Sequence, residues 1–114
     1  MPLPSAVGYL RSDVSGVHQK WDEIQIRSTA ARLGYDLRKT VVFSATTERP
    51  LHRLRVVVDR LGVDAIVTPS VAHFNACEVP ADLISVADVV TVSPEQIFAR
   101  VITSADASGR DIGE

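Results

Sequence analysis

The chain has 114 residues, a formal net charge of -2 and a hydrophobic fraction of 46%. That length suits one compact domain with a single core, and the composition excludes a disordered chain and a strongly basic nucleic-acid coat. Charged residues interrupt the longest apolar stretch, residues 54–71, so no transmembrane segment is expected. The single cysteine, Cys77, has no partner for an internal disulfide, and no secretory leader pattern opens the chain, so we expect a cytoplasmic protein.

The N-terminal half predicts strands and helices in alternation. A short apolar run predicts a first strand over residues 6–11, followed by a polar loop. Helical spacing of apolar residues over 17–33 predicts a helix with one buried stripe, and Gly34 fits its C-terminal cap. The members of that stripe are Val17, Trp21, Ile24 and Ala31. Residues 40–43 predict a second strand, and Pro50 opens a second helix that Gly62 closes.

The C-terminal half continues the alternation. Residues 64–68 predict a third strand, residues 69–80 an irregular segment, and residues 81–86 a short helical turn. A fourth strand over 88–92 and a helix over 94–102 complete the pattern. We therefore expect a single domain over residues 1–102 and a flexible C-terminal tail over residues 103–114.

The predicted fold class is α/β, with three layers and a mainly parallel sheet of about four strands that has helices on both faces. Sites in such open sheets lie at the carboxyl ends of the strands. These ends fall at residues 11–13, 44–49 and 68–75.

Several common site chemistries have no support in the sequence. The chain has neither a dinucleotide-binding nor a nucleotide-triphosphate glycine loop. His18, His52, His73 and Cys77 lack the spacing of metal ligands, so neither a metal nor a cofactor is predicted.

One arrangement of residues remains. Tyr9 and Arg11 are separated by one residue at the end of the first strand. Arg49 precedes the second helix, and the third strand runs into TPSVAHF, residues 68–74. Over about three quarters of the chain this pattern resembles the catalytic domain of the serine recombinases, the resolvase/invertase family. In that family the first strand ends in Tyr-x-Arg-x-Ser, and the serine attacks a DNA phosphodiester and becomes joined to the 5′ phosphate.

The departures from the family's pattern concern its charged and nucleophilic groups. Asp13 stands where the family has its serine, and Ser44 stands near the place of an acidic residue. Ala72 and His73 replace an Asp-Arg pair, and Ala76 replaces a further arginine. Transfer to or from a phosphodiester needs positive charge around the reacting phosphate. The resemblance therefore implies a vestigial, catalytically inactive site made of Tyr9, Arg11, Asp13, Ser44, Arg49, Ala72 and His73.

Each candidate residue also has a simpler structural role. Arg11 can pair with Asp13 or Asp36, and Ser15 can cap the first helix. His73 is expected to be solvated in an irregular loop. Trp21 and Phe43 are expected in the core.

Three functions follow from these interpretations. The first is a resolvase-like, non-catalytic cytoplasmic domain that acts as a binding or self-association module, with a second copy or another protein as partner. Its contact with DNA is expected to be weak, since 114 residues leave no room for a separate DNA-binding domain. The second is a minimal serine recombinase or strand-transfer enzyme that uses Ser12 or Ser15 as its nucleophile. The third is a small anion-binding or nucleotide-binding module that uses Arg11, Arg49 and His73.

Overall fold

In the computed structural model, which describes residues 3–74 and 77–101, five strands form one sheet. The strands are β1 (Ser5–Arg11), β2 (Asp36–Phe43), β3 (Ala65–Thr68), β4 (Asp88–Thr91) and β5 (Gln96–Phe98). Their order across the sheet is β2-β1-β3-β4-β5; β1 to β4 are mutually parallel, and β5 is antiparallel to β4. The predicted α/β class is confirmed, with five strands in place of about four.

In the described part of the chain, four helices connect and cover the strands: α1 (Ser12–Ser15), α2 (Gln19–Arg32), α3 (Pro50–Leu61) and α4 (Ala81–Ile84). Short 3₁₀ turns occupy Gly16–His18 and Val71–His73. In the residues described, no helix combines the length and the apolar character needed to cross a membrane.

Alternate residues of the central strands face two separate cores, one on each side of the sheet. Ile26 and Ala30 of α2 belong to the core that contains Leu10 and Val67. The opposite core joins the helices α3 and α4 to the sheet; it includes Val7, Tyr9, Leu54, Val58, Ile66, Leu83 and Val89. The sheet therefore has helices on both faces, as predicted for strands that are apolar on both sides.

The ends of α3 follow from its terminal residues. Pro50 lies in the first turn, where a missing N–H costs no helical hydrogen bond. Gly62 follows the last turn with a φ of 64°, and its N–H donates to the Val58 carbonyl at 2.9 Å. This left-handed residue ends the helix and turns the chain toward β3.

The helix predicted for residues 94–102 is wrong. Residues 92–95 form a turn and β5 follows, with Phe98 paired to Val89 and Gln96 paired to Thr91. The hydroxyl of Thr91 donates to the Pro94 carbonyl at 2.6 Å and holds this turn. A short apolar run fits either a strand or a helix, and the free edge of β4 selects the strand. Residue 102 and the predicted tail lie outside the described residues.

The stripe predicted to be buried in the first helix is also wrong. Val17 is 96% exposed, Trp21 59% and Ile24 49%, and Ala31 is exposed as well. The buried residues of α2 are Ile26, Thr29 and Ala30, which lie on the opposite arc of the helix. Trp21, expected in the core, is therefore a surface residue, whereas Phe43 packs against the core beside Tyr9.

Candidate functional site

The carboxyl ends of β1 and β3 meet around a buried histidine. Only 3% of His73 is exposed, so the prediction that it is solvated is wrong. The backbone N–H of Arg11 donates to His73 Nδ1 at 2.9 Å, and the hydroxyl of Tyr9 donates to the His73 carbonyl at 2.6 Å. These two bonds join the 3₁₀ turn that follows β3 to the end of β1.

The bond to Nδ1 defines the protonation of the ring. Since Nδ1 accepts a hydrogen bond, a neutral His73 carries its proton on Nε2. Burial lowers the pKa of His73; Asp22 and Asp13 raise it, and Arg11 adds to the lowering. Burial also raises the pKa of Tyr9 to about 12, so its hydroxyl keeps the proton that it donates. The site is thus built on a neutral imidazole and a neutral phenol.

Arg11 and Asp13 form a two-bond ion pair beside this histidine. Arg11 Nε lies 3.2 Å from Asp13 Oδ1, and one terminal nitrogen of Arg11 lies 2.7 Å from Asp13 Oδ2. The side chains are 20% and 35% exposed, respectively. Asp13 and Asp36 were both expected as partners of Arg11. Arg11 pairs with Asp13, and Asp36 pairs with Arg38. The charge of Arg11 is thus opposed by a carboxylate held in the plane of its guanidinium.

The two candidate nucleophiles lie in α1, directly after β1. Ser15 is 7% exposed, and its hydroxyl donates to Asp22 Oδ2 in α2 at 2.6 Å. Ser15 is the last residue of α1, and its hydroxyl links α1 to α2. The N-cap residue of α2 is His18, and Ser15 makes no side-chain capping bond, so the prediction that Ser15 caps this helix is wrong. Ser12 begins α1 and is partly exposed.

Asp22 is the site residue that sequence reasoning missed. It lies in the first turn of α2, seven residues after Ser15, and it contributes electrostatically to His73. The predicted stripe excluded Asp22 and placed the wrong arc of the helix against the sheet, so the pattern gave no signal for this residue. Ser15, Asp22 and His73 thus belong to one polar cluster at the end of the sheet.

Ser44 and Arg49 lie in the loop between β2 and α3. The hydroxyl of Ser44 lies 2.9 Å from Thr46 Oγ1, and its N–H donates to Thr47 Oγ1 at 2.9 Å, so these bonds stay within the loop. Arg49 is exposed, with a left-handed φ of 50° immediately before Pro50. Over residues 3–74 and 77–101 no ion pair involves Arg49. Ala72 is exposed in the turn that ends at His73, and Ala76 lies outside the described residues.

A separate apolar pocket of about 420 Å³ lies near α4 and β5. Its lining consists of Val71, Cys77, Glu78, Val79, Ile84, Gln96 and Phe98. Cys77 is exposed and has a φ of 51°. Within the described part of the chain, no cluster of three or more His, Cys, Asp or Glu side chains is arranged to hold a metal ion.

Comparison of the chain with protein-family models, curated proteins and solved structures gave no match. The function therefore has to be argued from the residues of the site.

Proposed function

We propose that this chain is a non-catalytic relative of the serine recombinase catalytic domain that acts in the cytoplasm as a binding or self-association module. The positions of the motif residues support the resemblance. Tyr9 and Arg11 lie at the end of β1, and Arg49 directly precedes α3. The segment that resembles the family's third motif begins at the end of β3 and ends in the turn that holds His73.

The observation that carries the proposal is the ion pair between Arg11 and Asp13. Phosphoryl transfer needs a nucleophilic oxygen and positive charge directed at the phosphate. At the position of the family's serine this chain has a carboxylate, which repels a phosphodiester and bonds to the arginine that would bind it. The same residue thus removes the nucleophile and neutralises a cation.

Arg49 keeps the family's own mid-domain arginine, and Ser44, Ala72 and His73 add no cation to replace the loss. Ser44 is hydrogen-bonded within its loop, and Ala72 has no polar side chain. His73 is buried, its pKa is lowered by burial, and its Nδ1 already accepts the Arg11 N–H. A neutral, buried imidazole cannot supply the charge that an arginine supplies at this position.

The alternative enzyme is a minimal recombinase or strand-transfer protein that uses Ser12 or Ser15. One contact favours Ser15. Its hydroxyl donates a hydrogen bond to Asp22 Oδ2 at 2.6 Å, and a carboxylate in that position resembles the base of an activated nucleophile. The same serine is 7% exposed, however, and a DNA phosphate needs in-line access to the attacking oxygen. The third candidate, an anion-binding module built on Arg11, Arg49 and His73, requires Arg11 to leave Asp13.

An adduct assay separates the non-catalytic proposal from the enzyme. The protein is incubated with supercoiled plasmid, denatured, and examined for nicked DNA and for protein covalently joined to DNA, with an active serine recombinase as positive control. We expect neither product from the wild-type chain. A denaturant-stable adduct that disappears in Ser12→Ala or Ser15→Ala would overturn the proposal and establish the enzyme.

A further inference from the structure

The outward side of α2 carries an apolar stripe that the rest of the described chain does not cover. The stripe begins at Val17 in the 3₁₀ turn before α2 and continues in α2 through Trp21, Ile24, Ser28 and Ala31, with Ser28 as its polar member, at alternating spacings of four and three residues. All five are exposed, including 96% of Val17 and 59% of Trp21. We call these five residues the α2 outer face. Alternating spacings of three and four residues give the seam along which one helix packs against another.

The charged side chains of α2 that border this face are cations. Lys20 and Arg27 are exposed at positions one residue before Trp21 and Ser28, along one border of the seam. The two acidic residues of the helix, Asp22 and Glu23, are half-buried and accept hydrogen bonds from Ser15 and Gln19, respectively. In a helix pair, the residues that border the seam select the partner by charge.

The charge distribution identifies the partner class. A second copy packed antiparallel along the same seam would bring Lys20 and Arg27 of both chains together, and like charges at such positions are destabilising. A nucleic acid fits less well, because two bordering cations give few phosphate contacts and aliphatic side chains such as Ile24 give none. A helix with an apolar stripe bordered by Asp and Glu can pack its stripe against the seam and pair its carboxylates with the bordering cations.

We propose that the α2 outer face binds an acidic amphipathic helix of another protein. This inference rests on the proposed function as a binding module and specifies the surface and the partner class. The small residues Ser28 and Ala31 let the partner helix approach closely at one end of the seam, and Trp21 and Val17 supply apolar area at the other. The third cation of α2, Arg32, is paired with Glu95 and takes no part.

The chain contains its own reporter for the test, since Trp21 is its only tryptophan. The probe is a designed helical peptide with Leu at the seam positions and Glu at the bordering positions. Its matched control has the same seam with Lys at the bordering positions. Each peptide is titrated into the full chain while the fluorescence emission maximum of Trp21 is recorded. This maximum moves to shorter wavelength when the indole leaves water.

We expect a saturable blue shift with the acidic peptide and none with the basic peptide. The Lys20→Glu/Arg27→Glu variant should bind the acidic peptide at least about tenfold more weakly, because the bordering charges reverse. Arg55→Glu/Arg60→Glu is the matched control, since it reverses two exposed charges on α3 and should leave the affinity unchanged.

Three results would overturn the inference. The first is the absence of a shift with the acidic peptide, and the second is equal affinity for both peptides. The third is a blue shift that depends only on protein concentration and follows dimer formation in sedimentation; the α2 outer face would then bind a second copy. Neither result affects the proposal of a non-catalytic domain, which the plasmid adduct assay tests separately.

Discussion

His73 joins the turn after β3 to β1 through hydrogen bonds of its ring and its carbonyl. Its Nδ1 accepts the Arg11 N–H, its carbonyl accepts the Tyr9 hydroxyl, and Asp22 acts on it electrostatically. Burial lowers its pKa below the ordinary value of 6.5. Protonation of Nδ1 would break the bond to Arg11 and place a charge in a buried position.

The stability of the protein should therefore depend on pH through His73. Its folded-state pKa is lowered, so below about pH 6.5 the unfolded chain binds a proton more readily than the folded chain. The contribution of neutral His73 is complete above that pH and is lost as the pH falls. We expect the free energy of unfolding, from urea denaturation, to decrease between about pH 7 and pH 5.

His73→Gln provides the control, because its side-chain amide oxygen can accept the Arg11 N–H and does not titrate in this range. Its stability should vary less with pH than that of the wild type over the same interval. Parallel pH profiles for the two proteins would show that His73 is not the titrating group.

Among single residues, the sequence predicted the positions of Tyr9 and Arg11 at the end of the first strand and gave Asp13 or Asp36 as the partner of Arg11, of which Asp13 is the one observed. Those predictions held because strand ends and near neighbours are determined locally. The burial of His73 was not predictable, since it depends on contacts with residues more than sixty positions away in the chain. Ser15 was misinterpreted for a different reason, because its hydroxyl donates to the Asp22 side chain and makes no capping bond to a backbone N–H.

The element α2 shows how packing selects between two apolar arcs. Trp21, Ile24 and Ala31 form one arc, and Ile26 and Ala30 form the other, at the same helical period. Periodicity therefore identified the helix but could not decide which arc faces the sheet. The arc with Ile26 and Ala30 faces the sheet, and the helix approaches the sheet closely at Gly8, where a Cβ atom would lie 2.8 Å from Ile26 Cγ2.

Gly8→Ala should destabilise the protein through this contact. The added methyl group would also lie 2.7 Å from Thr40 Oγ1, so the side chains of Thr40 and Ile26 would both have to shift. We expect a loss of about 1–3 kcal/mol in the free energy of unfolding, as for other overpacked cores. Chemical denaturation measures this loss.

Gly8→Ala/Thr40→Ala tests whether the clash is the cause. Removing Thr40 Oγ1 opens the nearest contact, so the double variant should lose less stability than the sum of the two single changes. Additive effects would show that Thr40 Oγ1 is not the cause of the loss. A Gly8→Ala variant as stable as the wild type would contradict the close approach of α2 at Gly8.

For the molecule as a whole, the α/β class and the parallel arrangement of β1 to β4 followed from the alternation of apolar runs with amphipathic segments. The fifth strand did not, because residues 96–98 form too short a run to distinguish a strand from a helix, and their pairing with Val89 and Thr91 is tertiary. The sheet nevertheless brings the predicted strand ends to one edge. There the arrangement of charge, with Asp13 against Arg11, decides what the site can do.

The most direct test of the account asks whether Asp13 closes this site. Inorganic phosphate is titrated into the wild type and into Asp13→Asn while the Nε–H resonance of Arg11 is followed by NMR. Asp36→Asn, which removes a carboxylate from the exposed pair with Arg38, is the matched control. The stability of Asp13→Asn should stay within about 1 kcal/mol of the wild type, because the ion pair is partly exposed. We expect a phosphate-dependent shift at Arg11 in Asp13→Asn alone; an equal shift in the wild type would contradict the closed site.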